Sequence, residues 1–212
     1  RPAAIFGLRA WPHPTGTVKI VSGPFMAGSD RLRIIVTGRQ THGAQPHRGI
    51  DPIVAASQIV NALQTIPSRP MDGTIRYLNP ETRDELYMRI RRTVADIAAS
   101  SGASAEVSIE SNAIPVVNPP EMTARARAAL VRALGESPVQ GGAPGMVAED
   151  FAYFQQAVPG VFFYYGVNPP GLVAADAAPN HSPRFFVHEP AMETALRAML
   201  AVALDWVGSD RP

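Results

Sequence analysis

At 212 residues, 46% of them hydrophobic and 17% charged, the chain has the composition of a globular protein with enough apolar material for one or two domains. Its 19 basic and 18 acidic residues leave a net charge of +1, which lacks the basic footprint of a nucleic-acid binder, and the absence of cysteine excludes disulfides, zinc-cysteine sites and thiol catalysis. No apolar run approaches the ~20 residues that span a bilayer and no basic-then-apolar leader is legible, so no membrane partner is expected and the cytoplasm is the default compartment.

The chain opens on Arg1 rather than methionine and runs at once into an apolar segment, Ala3 to Leu8, expected to belong to a packed element behind a truncated start. Leu32, Ile34 and Val36 alternate along residues 31–37 and predict a half-buried strand ending at Gly38. Asp51 and Pro52 form an N-cap and first-turn pair, and Ile53, Ala56, Val60, Leu63 and Ile66 follow at helical spacing up to Pro67. A second strand is expected at 74–77. Asn79-Pro80-Glu81 then opens a helix with Leu86, Ile90, Val94 and Ile97 on its buried stripe and Gly102 as its stop. Ala105, Val107 and Ile109 alternate as a third strand.

Three prolines and an asparagine within 114–120 break the pattern and suggest a boundary or crossover. Met122, Ala126, Ala129 and Ala133 support a helix closed by Gly135, and 138–145 reads as a glycine-rich loop. Phe151, Phe154 and Val158 line a short helix. The continuous apolar run 161–167 suits a buried central strand. A last helix over about 190–207 is expected to turn Met192, Leu196, Met199, Ala203 and Trp206 inward.

Three polar clusters interrupt these elements: residues 41–47 (Thr-His-Gly-Ala-Gln-Pro-His), Glu149-Asp150, and 180–183 (Asn-His-Ser-Pro). Each falls in an expected loop, where catalytic groups concentrate. His42 could donate to an oxyanion or cap backbone groups in its own turn. His181 could ligate a metal, although a metal needs three or four ligands and only the distant His188 follows it. The Glu149-Asp150 pair fits either catalysis or the positive end of a helix. Arg76, on a strand, could clamp a carboxylate or lie on a solvated face.

Taken together, residues 5–12, 22–24, 41–47, 51–56, 73–76, 115–118, 149–153 and 181–185 resemble, in order, the aminoacylase, carboxypeptidase and hippurate hydrolase family of metal-dependent peptidases and amidohydrolases, in its indole-acetyl-amino-acid hydrolase branch. The resemblance implies an α/β fold: a zinc-peptidase-like catalytic domain, here 1–26 and 115–212, interrupted by an α+β, ferredoxin-like lid and dimerisation domain over 27–114. It implies hydrolysis of a small N-acyl amino acid or peptide-like amide by a water held between two divalent metals (zinc, manganese or cobalt), and a homodimer formed through the lid. By the same resemblance His181 is a metal ligand, His42 stabilises the oxyanion, Arg76 binds the substrate carboxylate, and Glu149 is a carboxylate of the substrate site near the metals.

The chain departs from that family in three places. The family's early half, with most metal ligands and the catalytic glutamate, has no counterpart. About one lid strand is missing near 69–71, where only Pro70 separates Arg69 from Met71. In the family's Gly-Leu-His-Xaa-Trp-Pro motif the histidine is a metal ligand, whereas Arg9 stands there in residues 7–12, and a guanidinium offers no lone pair. The second metal is therefore in doubt, unless Arg9 points away and His13 approaches instead. The alternative function is a non-catalytic dimerisation or binding module derived from such an enzyme.

Overall fold

The computed structural model describes residues 2–66 and 73–208. The chain order is β1 (Ile5–Pro14), β2 (Val18–Lys19), β3 (Gly23–Met26), β4 (Gly28–Thr37), α1 (Pro52–Leu63), β5 (Thr74–Tyr77) and α2 (Pro80–Ser100). It continues with β6 (Ser104–Ala113), β7 (Val116–Asn118), α3 (Pro120–Leu134), β8 (Val139–Gln140), α4 (Phe151–Ala157), β9 (Gly160–Asn168) and α5 (Ala191–Gly208). The fold is α/β. These elements form two compact units, one from the described residues of Arg1–Met26, Val116–Gly145 and Asp150–Pro212, the other from those of Ala27–Pro115 and Met146–Glu149.

The first unit is built on a sheet of order β1-β9-β2-β8, with β1 parallel and β2 antiparallel to β9. Its run of apolar residues makes β9 an interior strand: every residue from Gly160 to Asn168 except Tyr165 is buried. Val18, Leu130, Val161, Phe163, Ala198 and Val202 join the sheet to α3 and α5 in one core. Asn118, fully buried, extends the sheet with a side chain: its Oδ1 accepts the Phe162 N–H at 2.8 Å, and its Nδ2 donates to Phe162 O at 2.8 Å and Val21 O at 2.9 Å. A primary amide presents a donor and an acceptor side by side, so it satisfies buried backbone groups as a neighbouring strand would.

In the second unit β5-β4-β6 form an antiparallel sheet, covered by α1 and α2 over a core of Ile59, Leu63, Ile75, Leu86, Ile90 and Val94. Local chemistry sets the helix starts. Asp51 accepts the Ile53 N–H at 2.9 Å and Asn79 the Thr82 N–H at 2.8 Å, each followed by proline in the first turn. The expected loss of a strand near 69–71 lies outside the described residues.

Two predicted stripes are displaced in part: Leu63 and Ile66 are buried and Met199 packs on the core as expected, but other large residues turn outward. In α1 the buried residues are Ala55, Ile59 and Leu63, whereas Ile53 is 75% and Val60 58% exposed, and the helix ends at Leu63 rather than running on to Pro67. In α5 they are Ala191, Ala198 and Val202, whereas Met192 and Leu196 are 57% and 61% exposed. Both helices are apolar on more than one face, so periodicity alone does not choose the face that packs; in α5 the face taken is the one with the smaller side chains, whereas α1 buries Ile59 and Leu63. Phe154, expected to line α4, is likewise exposed, and Ala152 is buried instead.

Candidate functional site

His42 lies in a loop tied at its base. Arg39 and Ile50 exchange both backbone hydrogen bonds at 2.9 Å, and Gly38 permits the closure because a Cβ there would stand 2.1 Å from the Ile50 carbonyl oxygen. Within the loop Thr41 Oγ1 donates to Gln45 O at 3.0 Å and the Gln45 N–H to His42 O at 2.8 Å. The Ala44 N–H donates to His42 Nδ1 at 3.1 Å. The turn-histidine reading is thus realised, and it has a chemical consequence. An Nδ1 that accepts leaves the proton of the neutral ring on Nε2, which becomes a hydrogen-bond donor on an exposed side chain. Thr41, His42 and Pro46 line a cavity of ≈ 530 Å³ on the loop.

Arg76 sits on β5 opposite Ser29 of β4 and is half-buried. It lines a separate cavity of ≈ 360 Å³ with Asn79, Glu85, Arg89 and Met146. Beside this strand lies a brace that the sequence pattern does not reveal. Asp30 is fully buried and accepts hydrogen bonds from the hydroxyls of Tyr77, at 3.4 Å, and Tyr87. Burial, then Asp30 itself, raises the pKa of both tyrosines, which keeps them protonated as donors.

Glu149 is half-buried in the coil before α4. Asp150 occupies the N-cap position with helical dihedrals (φ −74, ψ −12), and its side chain makes no capping hydrogen bond. Asp150 thus stands at the positive end of α4, where its charge is favoured without a side-chain capping bond.

His181 is exposed and has φ of +71, the one positive value for a non-glycine among the described residues. Left-handed backbone in such a residue marks stored strain. Its Nε2 accepts a hydrogen bond from Arg9 Nη2 at 3.0 Å, and next to it Asn180 Nδ2 donates to Ala10 O at 2.9 Å. Arg9, not His13, is thus the β1 side chain bonded to His181. His188 is engaged elsewhere, with Nδ1 3.1 Å from Thr15 Oγ1. Burial, then the nearby Lys19 charge, lowers the His13 pKa below 6.5. Among the described residues no three His, Asp or Glu side chains come together as a metal-holding group. The described residues of this chain, on their own, do not fit a two-metal centre.

Comparison with known proteins agrees with this architecture. The family model described as Peptidase family M20/M25/M40 matches residues 1–205. The N-acetylcysteine deacetylase of Bacillus subtilis is 31% identical over 95% of this chain and 58% of its own length. Thermostable carboxypeptidase 2 of Saccharolobus solfataricus is 31% identical over 94% of this chain and 57% of its own. The crystal structure of Bacillus subtilis YXEP, described as a dinuclear metal binding peptidase from the M20 family, superposes with a TM-score of 0.72 at 29% identity, covering 95% of this chain and 57% of that one. The chain spans well under two thirds of the length of these relatives, and by the match along nearly all of its own residues it belongs to peptidase family M20/M25/M40.

Proposed function

We propose that a polypeptide comprising this chain at the length of its relatives hydrolyses small N-acyl amino acids or peptide-like amides, and that this chain supplies recognition and oxyanion stabilisation. The observation that carries the reading is the Ala44 N–H on His42 Nδ1, which fixes the Nε2–H tautomer that such a role needs. As water adds to the amide carbon, negative charge collects on the former carbonyl oxygen. A donor aimed at that oxygen lowers the barrier more than it tightens substrate binding. Arg76 holds the substrate carboxylate through a planar, permanently charged fork, and Glu149 is a further carboxylate of the substrate site. Names of relatives such as N-acetylcysteine deacetylase favour an acyl amino acid over a long peptide. The relative described as a dinuclear metal binding peptidase supports divalent metal in the complete enzyme; in this proposal the metal is zinc, manganese or cobalt, with its ligands drawn mostly from outside the described residues of this chain.

The unit carrying α1 serves in this proposal as a lid and a self-association surface for a homodimer. Ile53 and Val60, seven residues and two turns apart, present one exposed apolar face. Release of free amino acid from N-acetyl and N-benzoyl substrates by the completed polypeptide tests the function. An Arg76→Ala variant is expected to raise KM for substrates with a free carboxylate and to leave amidated substrates unaffected. Equal loss on both would remove Arg76 from the role.

A further inference from the structure

The Arg9–His181 contact is more than a lost metal ligand. A guanidinium carries five N–H donors and no lone pair, so in the 3.0 Å contact Nε2 of His181 must be the acceptor and the ring proton must sit on Nδ1. The imidazole lone pair that would face a metal is committed to a permanent cation. A second bond runs in parallel between the adjacent residues, from Asn180 Nδ2 to Ala10 O at 2.9 Å, so two successive residues of β1 grip two successive residues of the loop. That loop is strained at His181, with φ of +71, and is closed by the Ser182 N–H on Pro179 O at 3.1 Å and the Phe185 N–H on Ser182 O at 3.0 Å. Backbone strain of this kind persists where surrounding contacts over-determine it, and the paired bonds from β1 are such contacts.

We propose that the Arg9 guanidinium serves as a built-in cation, holding the His181 loop on β1 in the manner of a metal ion and closing that position to one. The inference rests on the placing of His181 and Arg9 at metal-ligand positions of the family. A divalent ion approaching Nε2 has to displace the guanidinium and then remain beside its positive charge, and both work against binding. Replacing Arg9 by histidine removes that charge, frees the His181 lone pair and adds a second imidazole, two of the three or four ligands that zinc takes, which raises its affinity over the wild-type position without completing a site.

Two measurements on the 212-residue chain test this without any readout of hydrolysis, so their failure is distinct from failure of the proposed function. Long-range proton–nitrogen correlation spectra report the tautomer of each histidine ring. The Nδ1–H form is expected for His181, and the Nε2–H form would overturn the lock, because that ring could not accept from Arg9. Zinc chloride is then titrated into the wild-type chain and into Arg9→His, following the His181 ring signals. Zinc is expected to act on His181 at least ~10-fold more tightly in the variant than in the wild type. Equal affinity in the two would show that Arg9 does not close the position.

Discussion

Replacing Asn118 by alanine removes a fully buried amide that makes three hydrogen bonds, two of them to Phe162 on the interior strand β9. Left behind are the Phe162 N–H, the Phe162 carbonyl and the Val21 carbonyl. A buried group without a partner costs about 1–3 kcal/mol, the N–H more than carbonyls that keep a second lone pair, so the sum is about 3–4 kcal/mol. Against a total stability of about 5–15 kcal/mol this is a large share, and with a urea slope of about 2 kcal/mol per M it lowers the unfolding midpoint by about 1.5–2 M. Both tryptophans, Trp11 and Trp206, belong to the unit that contains Asn118, so fluorescence during urea unfolding reports on that unit. Asn118→Asp discriminates further. Its carboxylate still accepts from the Phe162 N–H but turns negative oxygen toward two carbonyls, so near neutral pH it is expected to be at least as damaging as alanine, with partial recovery once acid protonates it. A midpoint within about 0.3 M of wild type for Asn118→Ala would refute the assignment of Asn118 as a surrogate strand partner.

The 212-residue chain alone is expected not to hydrolyse N-acetyl or N-benzoyl amino acids, since its described residues bring one metal-ligand candidate and no metal-holding group; turnover abolished by a chelator would contradict this. His13 titrates below 6.5 in the fold, so the unfolded chain binds its proton more readily. Its contribution to stability is complete above about pH 6.5 and is lost as pH falls through the folded-state value. The fluorescence-monitored urea midpoint should therefore drop between about pH 7.5 and about pH 5, and His13→Gln should flatten that slope. Val60→Glu, on the exposed face of α1, is expected to shift sedimentation from dimer to monomer while the circular dichroism spectrum is kept; a wild-type chain that sediments as a monomer at high concentration would remove the dimer proposal.

The sequence makes local chemistry readable. Asp51-Pro52 and Asn79-Pro80 announce helix starts because a cap and its proline act within one turn, and β9 announces itself because a strand buried on both faces must be apolar throughout. The short strands β2, β3, β7 and β8, two to four residues each, carry too little periodicity to stand out, and 138–145, predicted as loop, contains one of them. The choice between apolar faces of α1 and α5 depends on what packs against them, which no single helix encodes. For the site, the loop positions of His42, Glu149 and His181 follow from polar clusters between patterned elements. Contacts made across the fold do not. Arg9 meets His181 over 172 residues, and Asp30 meets Tyr77 and Tyr87 over 47 and 57. The Ala44 contact that fixes the His42 tautomer spans two residues, yet it depends on a loop closure at Gly38 that composition alone does not reveal.

The role of His42 is tested most directly by steady-state hydrolysis of an N-acyl amino acid by the completed polypeptide, comparing wild type with His42→Ala. An Nε2–H donor acting on the oxyanion predicts a fall in kcat of ~100-fold or more with KM changed by less than about threefold. An unchanged kcat with a raised KM would make His42 a ground-state contact and contradict the assignment.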